Sequence, residues 1–92
     1  MFDRWTRKRV HKLGYRRIYE DLRSLHYERT EDHLRVYHTV YLKYDQADKE
    51  FHVKSYNEVT GASIALSKQE HRWFNRIARN KMREYARMKW GY

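Results

Sequence analysis

No glycine or proline interrupts the stretch from Ser67 to Met88, and the stretch opens with a helix start signal. Ser67-Lys68-Gln69-Glu70 has the form of a capping box. In that motif the serine hydroxyl accepts from the backbone N–H three residues on, and the glutamate carboxylate accepts from the N–H of the serine. The pattern predicts a helix over 67–89, so a chain of 92 residues must fold beside one long rod. At about 100° per residue, Phe74, Ile77, Ala78, Met82, Tyr85 and Met88 fall on one face, which predicts the buried side. The opposite face carries Arg72, Arg76, Arg79, Arg83 and Arg87, in a stripe about 80° wide and about 22 Å long. Trp90 joins that stripe if the helix reaches it.

Acidic residues three or four positions away normally offset arginines on a helix face. This segment holds only Glu70 and Glu84, and neither stands at those spacings from Arg72, Arg76, Arg79 or Arg83. The spacings 72/76, 76/79, 79/83 and 83/87 instead set like charges side by side, at a cost of about a few tenths of a kcal/mol per pair. An anionic partner removes that cost. The ordinary reading of a charge run is a solvated face. A second ordinary reading is an internal acidic partner, with Glu31, Asp32, Asp45 and Asp48 as the candidates.

Net charge is +9 and unevenly distributed. Residues 1–29 carry +5, residues 30–66 carry −2, and residues 67–92 carry +6. Two basic ends flanking a slightly acidic middle point to a defined patch rather than to general stickiness.

Phe2 to Leu13 reads as a short helix with Asp3 as its N-cap. It bears Arg4, Arg7, Lys8, Arg9 and Lys12, with Phe2, Trp5 and Leu13 on one side. Helical register fails across Gly14, which reads as a C′ residue. Tyr15, Ile18, Tyr19, Leu22, Leu25 and His26 then form an amphipathic stripe, predicting a second helix from about Tyr15 to Glu28. A single curved helix is the alternative. His33 to Tyr44 alternates strictly, with Leu34, Val36, His38, Val40, Leu42 and Tyr44 on the buried side of a long strand. Glu50 to Tyr56 is the return strand with Phe51 and Val53 inward, and Ala62 to Leu66 is a short third strand. The helices cover the Leu34/Val36/Val40/Leu42 face. The outer face then shows Arg35, Tyr37, Tyr41, Lys43, His52, Lys54 and Tyr56. Interleaved bases and aromatics can stack on unpaired bases, although tyrosine is also common on any exposed strand.

The expected fold class is therefore α+β: an antiparallel meander of two to three strands packed with basic helices before and after it. The chain forms one domain over 1–92, helical over 2–28, with the sheet over 33–66 and the C-terminal helix over 67–89. There is no cysteine, so no disulfide or thiolate site. No apolar run is long enough for a membrane span or a signal peptide, which predicts a cytoplasmic, intracellular protein. Among His11, His26, His33, His38, His52 and His71 none forms an H-x-x-x-H or H-E-x-x-H pair. No catalytic residue, metal ligand or cofactor is assigned.

Two families offer a resemblance. Phe51-His52-Val53, Gly61 and Ser67-Lys68 ahead of the last helix resemble the second half of the double-stranded-RNA-binding domain, over roughly residues 51–86. That resemblance implies the order helix, three strands, helix. The helix start has Lys68 alone where that family has a lysine cluster, and the 45–49 turn lacks its Gly-Pro and His. Glu31-Asp32-His33-Leu34-Arg35-Val36-Tyr37 resembles a strand of small bacterial toxin ribonucleases, whose usual first strand has no counterpart here. These readings converge on a small, basic, non-enzymatic module that binds a polyanion, nucleic acid foremost. Arg72, Arg76, Arg79, Arg83 and Arg87 would make the contacts, with Arg4, Arg7, Lys8, Arg9 and Lys12 extending the patch. The alternative partner is a protein with an acidic or nucleic-acid-binding surface. The chain would then be an inhibitor or regulator docked on a nucleic-acid-processing protein. A metal-independent ribonuclease toxin is the third reading. A short, basic, cysteine-free chain is in the style of a virus or mobile element.

Overall fold

A computed structural model describes residues 4–31 and 36–91, with the side chains of residues 31, 36 and 37 left outside the description. The elements are α1 (Arg4–Lys12), β1 (Arg16–Asp21), β2 (Ser24–Glu31), β3 (Val36–Asp45), β4 (Glu50–Asn57) and α2 (Lys68–Trp90). The strands form one antiparallel sheet in the order β1-β2-β3-β4, so the fold is α+β with four strands rather than two or three. The proposed Asp3 cap and the inward-facing Phe2, Leu34 and Val36 lie outside the described residues or side chains, as do Glu31 and Asp32 as partners for the arginines.

The capping box forms at the head of α2. Glu70 N–H donates to Ser67 Oγ over 3.2 Å, and Ser67 N–H donates to Glu70 Oε1 over 2.9 Å. Gly91 ends the helix in the left-handed region at φ 75°, its N–H bonded to Arg87 O. Gly14 closes α1 at φ 99°. Gly14 N–H bonds His11 O and Tyr15 N–H bonds Val10 O, which is the paired bonding of a Schellman motif. A Cβ on Gly14 would stand 3.2 Å from the Arg29 side chain, so packing as well as φ holds glycine there. The motif also brings Val10 and Tyr15 together, and both are fully buried.

The second predicted helix is replaced by β1 and β2. A bulge between Arg17 and Tyr19 breaks the alternation of β1. It leaves Ile18 and Tyr19 both about half exposed, and Leu22 sits exposed between the two strands. With His26 on the outer sheet face, four of the six residues in the apparent helical stripe therefore stay outside the core. Leu25 and Tyr27 alternate inward instead, and Asp21 Oδ1 accepts from Arg23 N–H to close the hairpin. The extra hairpin also replaces the helix, three strands, helix order of the double-stranded-RNA-binding domain. The third strand expected at Ala62–Leu66 reduces to a single bridge, Ser63 to Tyr56, with Ile64 N–H donating to Ser55 O.

Cross-strand rows Leu25/Leu42/Val53 and Tyr27/Val40/Ser55 face both helices. With Val10, Tyr15, Phe74, Ile77 and Ala78 they make the core. Tyr15 and Tyr27 both meet Phe74 edge-on, at 5.0 and 5.6 Å between ring centres. On α1 the buried residues are Thr6 and Val10; Leu13 packs partly buried against the core, while Trp5, expected on the same side, is half exposed. On α2 the expected core face holds at Phe74, Ile77, Ala78 and Tyr85 but not at Met88, which is 70% exposed. Ser67→Ala removes one cap bond and is expected to lower stability by about 1 kcal/mol. An unchanged urea midpoint would show that α2 does not depend on its cap.

Candidate nucleic-acid interface

Arg72, Arg76, Arg79, Arg83 and Arg87 are all exposed along α2. None of Arg72, Arg76, Arg79 and Arg83 makes an ion pair among the described residues. Arg87 differs from them in having Glu84 three residues before it, within reach along the helix. Asp45 and Asp48 turn toward His52 rather than toward the arginines.

The two helices meet through tryptophans. Trp5 of α1 stands edge-on to Trp73 of α2 with ring centres 5.1 Å apart. The Trp5 ring carries two guanidiniums, Arg9 at 4.7 Å from its centre and Arg76 at 5.3 Å. Attraction to the ring quadrupole offsets part of the repulsion between the two arginines. Their convergence joins the basic side of α1 to the stripe. Arg4, Lys8 and Lys12 are exposed on α1 as well. Arg7 is drawn inward instead, its guanidinium forked onto both oxygens of Glu20 at 2.8 and 2.9 Å.

Glu20 is the residue that sequence reasoning missed on the acidic side. It also accepts from Arg17 at 2.9 Å and from Lys81 Nζ at 2.8 Å. Lys81 is 2% exposed and donates further to the Asp21 carbonyl. Its burial was readable: Ile77, Lys81 and Tyr85 recur at four-residue spacing, which puts Lys81 in the middle of the buried face. The bond from Arg7 outweighs the cost of burial and, with Lys81, holds the Glu20 carboxyl down at about 2 against an ordinary 4.5.

A second buried polar cluster sits at the head of α2. Glu70, 8% exposed, accepts from the Tyr15 hydroxyl and lies 3.6 Å from the Arg29 guanidinium. Tyr15 Oη and Arg29 each approach His38 Nδ1, at 3.3 and 3.4 Å. Burial pushes the Glu70 carboxyl up, but the bonds from Tyr15 and Ser67 prevail and the net shift is downward. Tyr15 and His38 are buried at 0% and 4% exposure, so the cluster offers no open surface to a substrate.

The outer sheet face carries a row of rings across all four strands: Tyr19, His26, Tyr41 and Tyr56, with successive centres 5.2, 4.4 and 6.1 Å apart. Several of its polar groups are satisfied within the face, whereas His26 Nε2 is buried with no hydrogen-bond partner among the described residues. Arg16 pairs with Glu28, Tyr19 donates to Asp21, and Tyr41 donates to Glu58, which raises the Tyr41 hydroxyl to about 12. His26 is shifted down by burial and by Lys43. Arg35 and the Tyr37 side chain lie outside the described residues. At the β3–β4 turn, ligand atoms of Asp45, Asp48 and His52 lie within 4.8 Å of one another. One oxygen of Asp45 and one of Asp48 also accept turn N–H groups.

No described helix is long and apolar enough to cross a membrane. Comparison with known protein families, curated proteins and solved structures finds no match to the chain.

Glu20 stabilises the fold while ionised, because its folded value is depressed. That contribution is complete above about pH 4.5 and is lost as pH falls toward about 2. Glu20→Gln leaves Lys81 and Arg7 without their carboxylate and is expected to cost about 3 kcal/mol at neutral pH. Its stability should also fall less than the parent's over the acid window. Parallel pH profiles in urea unfolding would rule out Glu20 as the titrating group.

Proposed function

We propose that this chain is a small non-enzymatic module that binds the phosphate backbone of a nucleic acid through the arginine face of α2. The observation that carries this reading is a run of exposed arginines with no ion pair at Arg72, Arg76, Arg79 and Arg83 among the described residues. Acids are present in the chain, but Glu20 and Glu70 are engaged beneath the helices by Arg7, Lys81, Arg29 and Tyr15. The arginine face is thus left with a repulsion that a row of phosphates would relieve. Arg9 and Arg76 on the Trp5 ring widen the patch from one helix to two.

Phosphate contacts fix position without reading sequence. Binding to duplex should therefore discriminate weakly among sequences and depend steeply on salt, because each neutralised phosphate releases condensed counterions. With about five phosphates engaged, log K against log salt should fall with a slope of about −4 to −5 on duplex DNA. Arg79→Glu with Arg83→Glu should flatten that slope and leave the fold intact, since both side chains are exposed. Fluorescence anisotropy with labelled duplex at several salt concentrations reads both effects. No binding to DNA or RNA at low salt would overturn the proposal and turn the search toward a protein bound by the same face.

A further inference from the structure

The two flanks of α2 are not equivalent. Trp73 lies on the flank packed against Trp5 of α1. Asn75, Ala78, Arg79 and Met82 line the other flank, where a groove of about 320 Å³ opens against Glu50 and Phe51 at the start of β4. Ala78, the smallest of the lining residues, contributes only a methyl group to it. Its floor is apolar and soft: Phe51, Ala78 and Met82. Its rim is polar, and each group on it has a different character. Glu50 only accepts hydrogen bonds, Arg79 only donates and is charged, and the Asn75 amide does both.

We propose that this groove holds one unpaired nucleobase of a single-stranded nucleic acid, with guanine preferred, while the adjoining phosphates lie on the arginine face. The inference rests on the reading given under the proposed function and narrows it to a substrate class. Arg79 belongs to both sites. It lines the groove and stands in the stripe between Arg76 and Arg83, so a strand tracking the stripe passes the mouth of the groove. A flat heteroaromatic ring matches the floor, and aromatic and thioether surfaces favour such a ring. The volume is at the low end for ligand pockets, which suits a single ring system rather than a dinucleotide.

The rim narrows the choice further. A bare phosphate would meet Arg79 but be repelled by the Glu50 carboxylate. A hydrocarbon would use the apolar floor but make no contact with the three polar side chains of the rim. A nucleotide gives its phosphate to Arg79 and its edge to Glu50 and Asn75. In a duplex that edge is paired and both ring faces are stacked, so only an unpaired base can enter. Guanine carries two adjacent N–H donors on its Watson–Crick edge, which a carboxylate can accept together, and beside them a carbonyl oxygen for the Asn75 amide. Uracil offers one such donor and cytosine's ring nitrogen is an acceptor.

Anisotropy with labelled oligonucleotides of equal length at one low salt concentration tests this directly. A guanine-containing single strand should bind about tenfold more tightly than duplex of the same length, in line with the energy of one stacked base, and about tenfold more tightly than oligouridine, in line with one additional hydrogen bond to a carboxylate. Ala78→Met fills the groove from its floor and should erase the difference between single strand and duplex, with circular dichroism confirming the fold. Glu50→Gln, at an exposed position, should erase the preference for guanine over uracil. Equal affinity of the unaltered protein for single strand and duplex would overturn the groove proposal and leave the arginine face standing. Failure to bind any of the oligonucleotides would overturn both.

Discussion

Glu70 is the residue on which the assembly of this fold turns. One carboxylate oxygen accepts from Ser67 N–H and so fixes the first turn of α2. The other accepts from Tyr15, the residue that links α1 to β1, and lies beside Arg29 of β2. Through Tyr15 and Arg29 it is also joined to His38 of β3. A motif that is local in sequence thus becomes the point where α2 is registered against the rest of the chain. The burial of such a charge is tolerated only because both oxygens find donors. The rod that carries the arginines is positioned by this contact and by Phe74 one turn further along.

Charge in this protein is sorted by depth. Arg7, Arg29 and Lys81 meet Glu20 or Glu70 beneath the helices, at partly or fully buried sites. The arginines left on α2 face solvent, and their neighbours along the helix are mostly one another. The basic patch is therefore produced as much by where the acids are engaged as by where the arginines lie. Trp5 contributes in the same sense, since its ring lets guanidiniums from two helices converge without a carboxylate between them. A face of this kind is less stable alone than a mixed one and becomes more stable with a polyanion on it.

What could be read from the sequence was local and periodic. The capping box, the break at Gly14, the β3–β4 alternation and the exposed arginine period all depend on neighbours within a turn or a strand. The β1–β2 hairpin was misread because its bulge shifts the alternation and its turn uses Asp21 in place of glycine or proline. The pairing of Lys81 with Glu20 spans 61 residues, so only the fold reveals why a lysine lies on the core side. The Trp5 platform and the groove beside Arg79 were hidden for the same reason, each being made by elements far apart in the chain.

The central claim is that the α2 arginine face carries a repulsion which a nucleic acid relieves, and thermal unfolding at low salt tests it most directly. Nucleic acid in large excess over its dissociation constant should raise the midpoint by about 10 °C, as expected when a ligand binds only the folded state of a small domain. Arg83→Gln should raise the midpoint of the unliganded protein, because it removes two like-charge contacts, and should reduce the rise caused by nucleic acid. A midpoint indifferent to nucleic acid, together with a variant no more stable than its parent, would contradict the account.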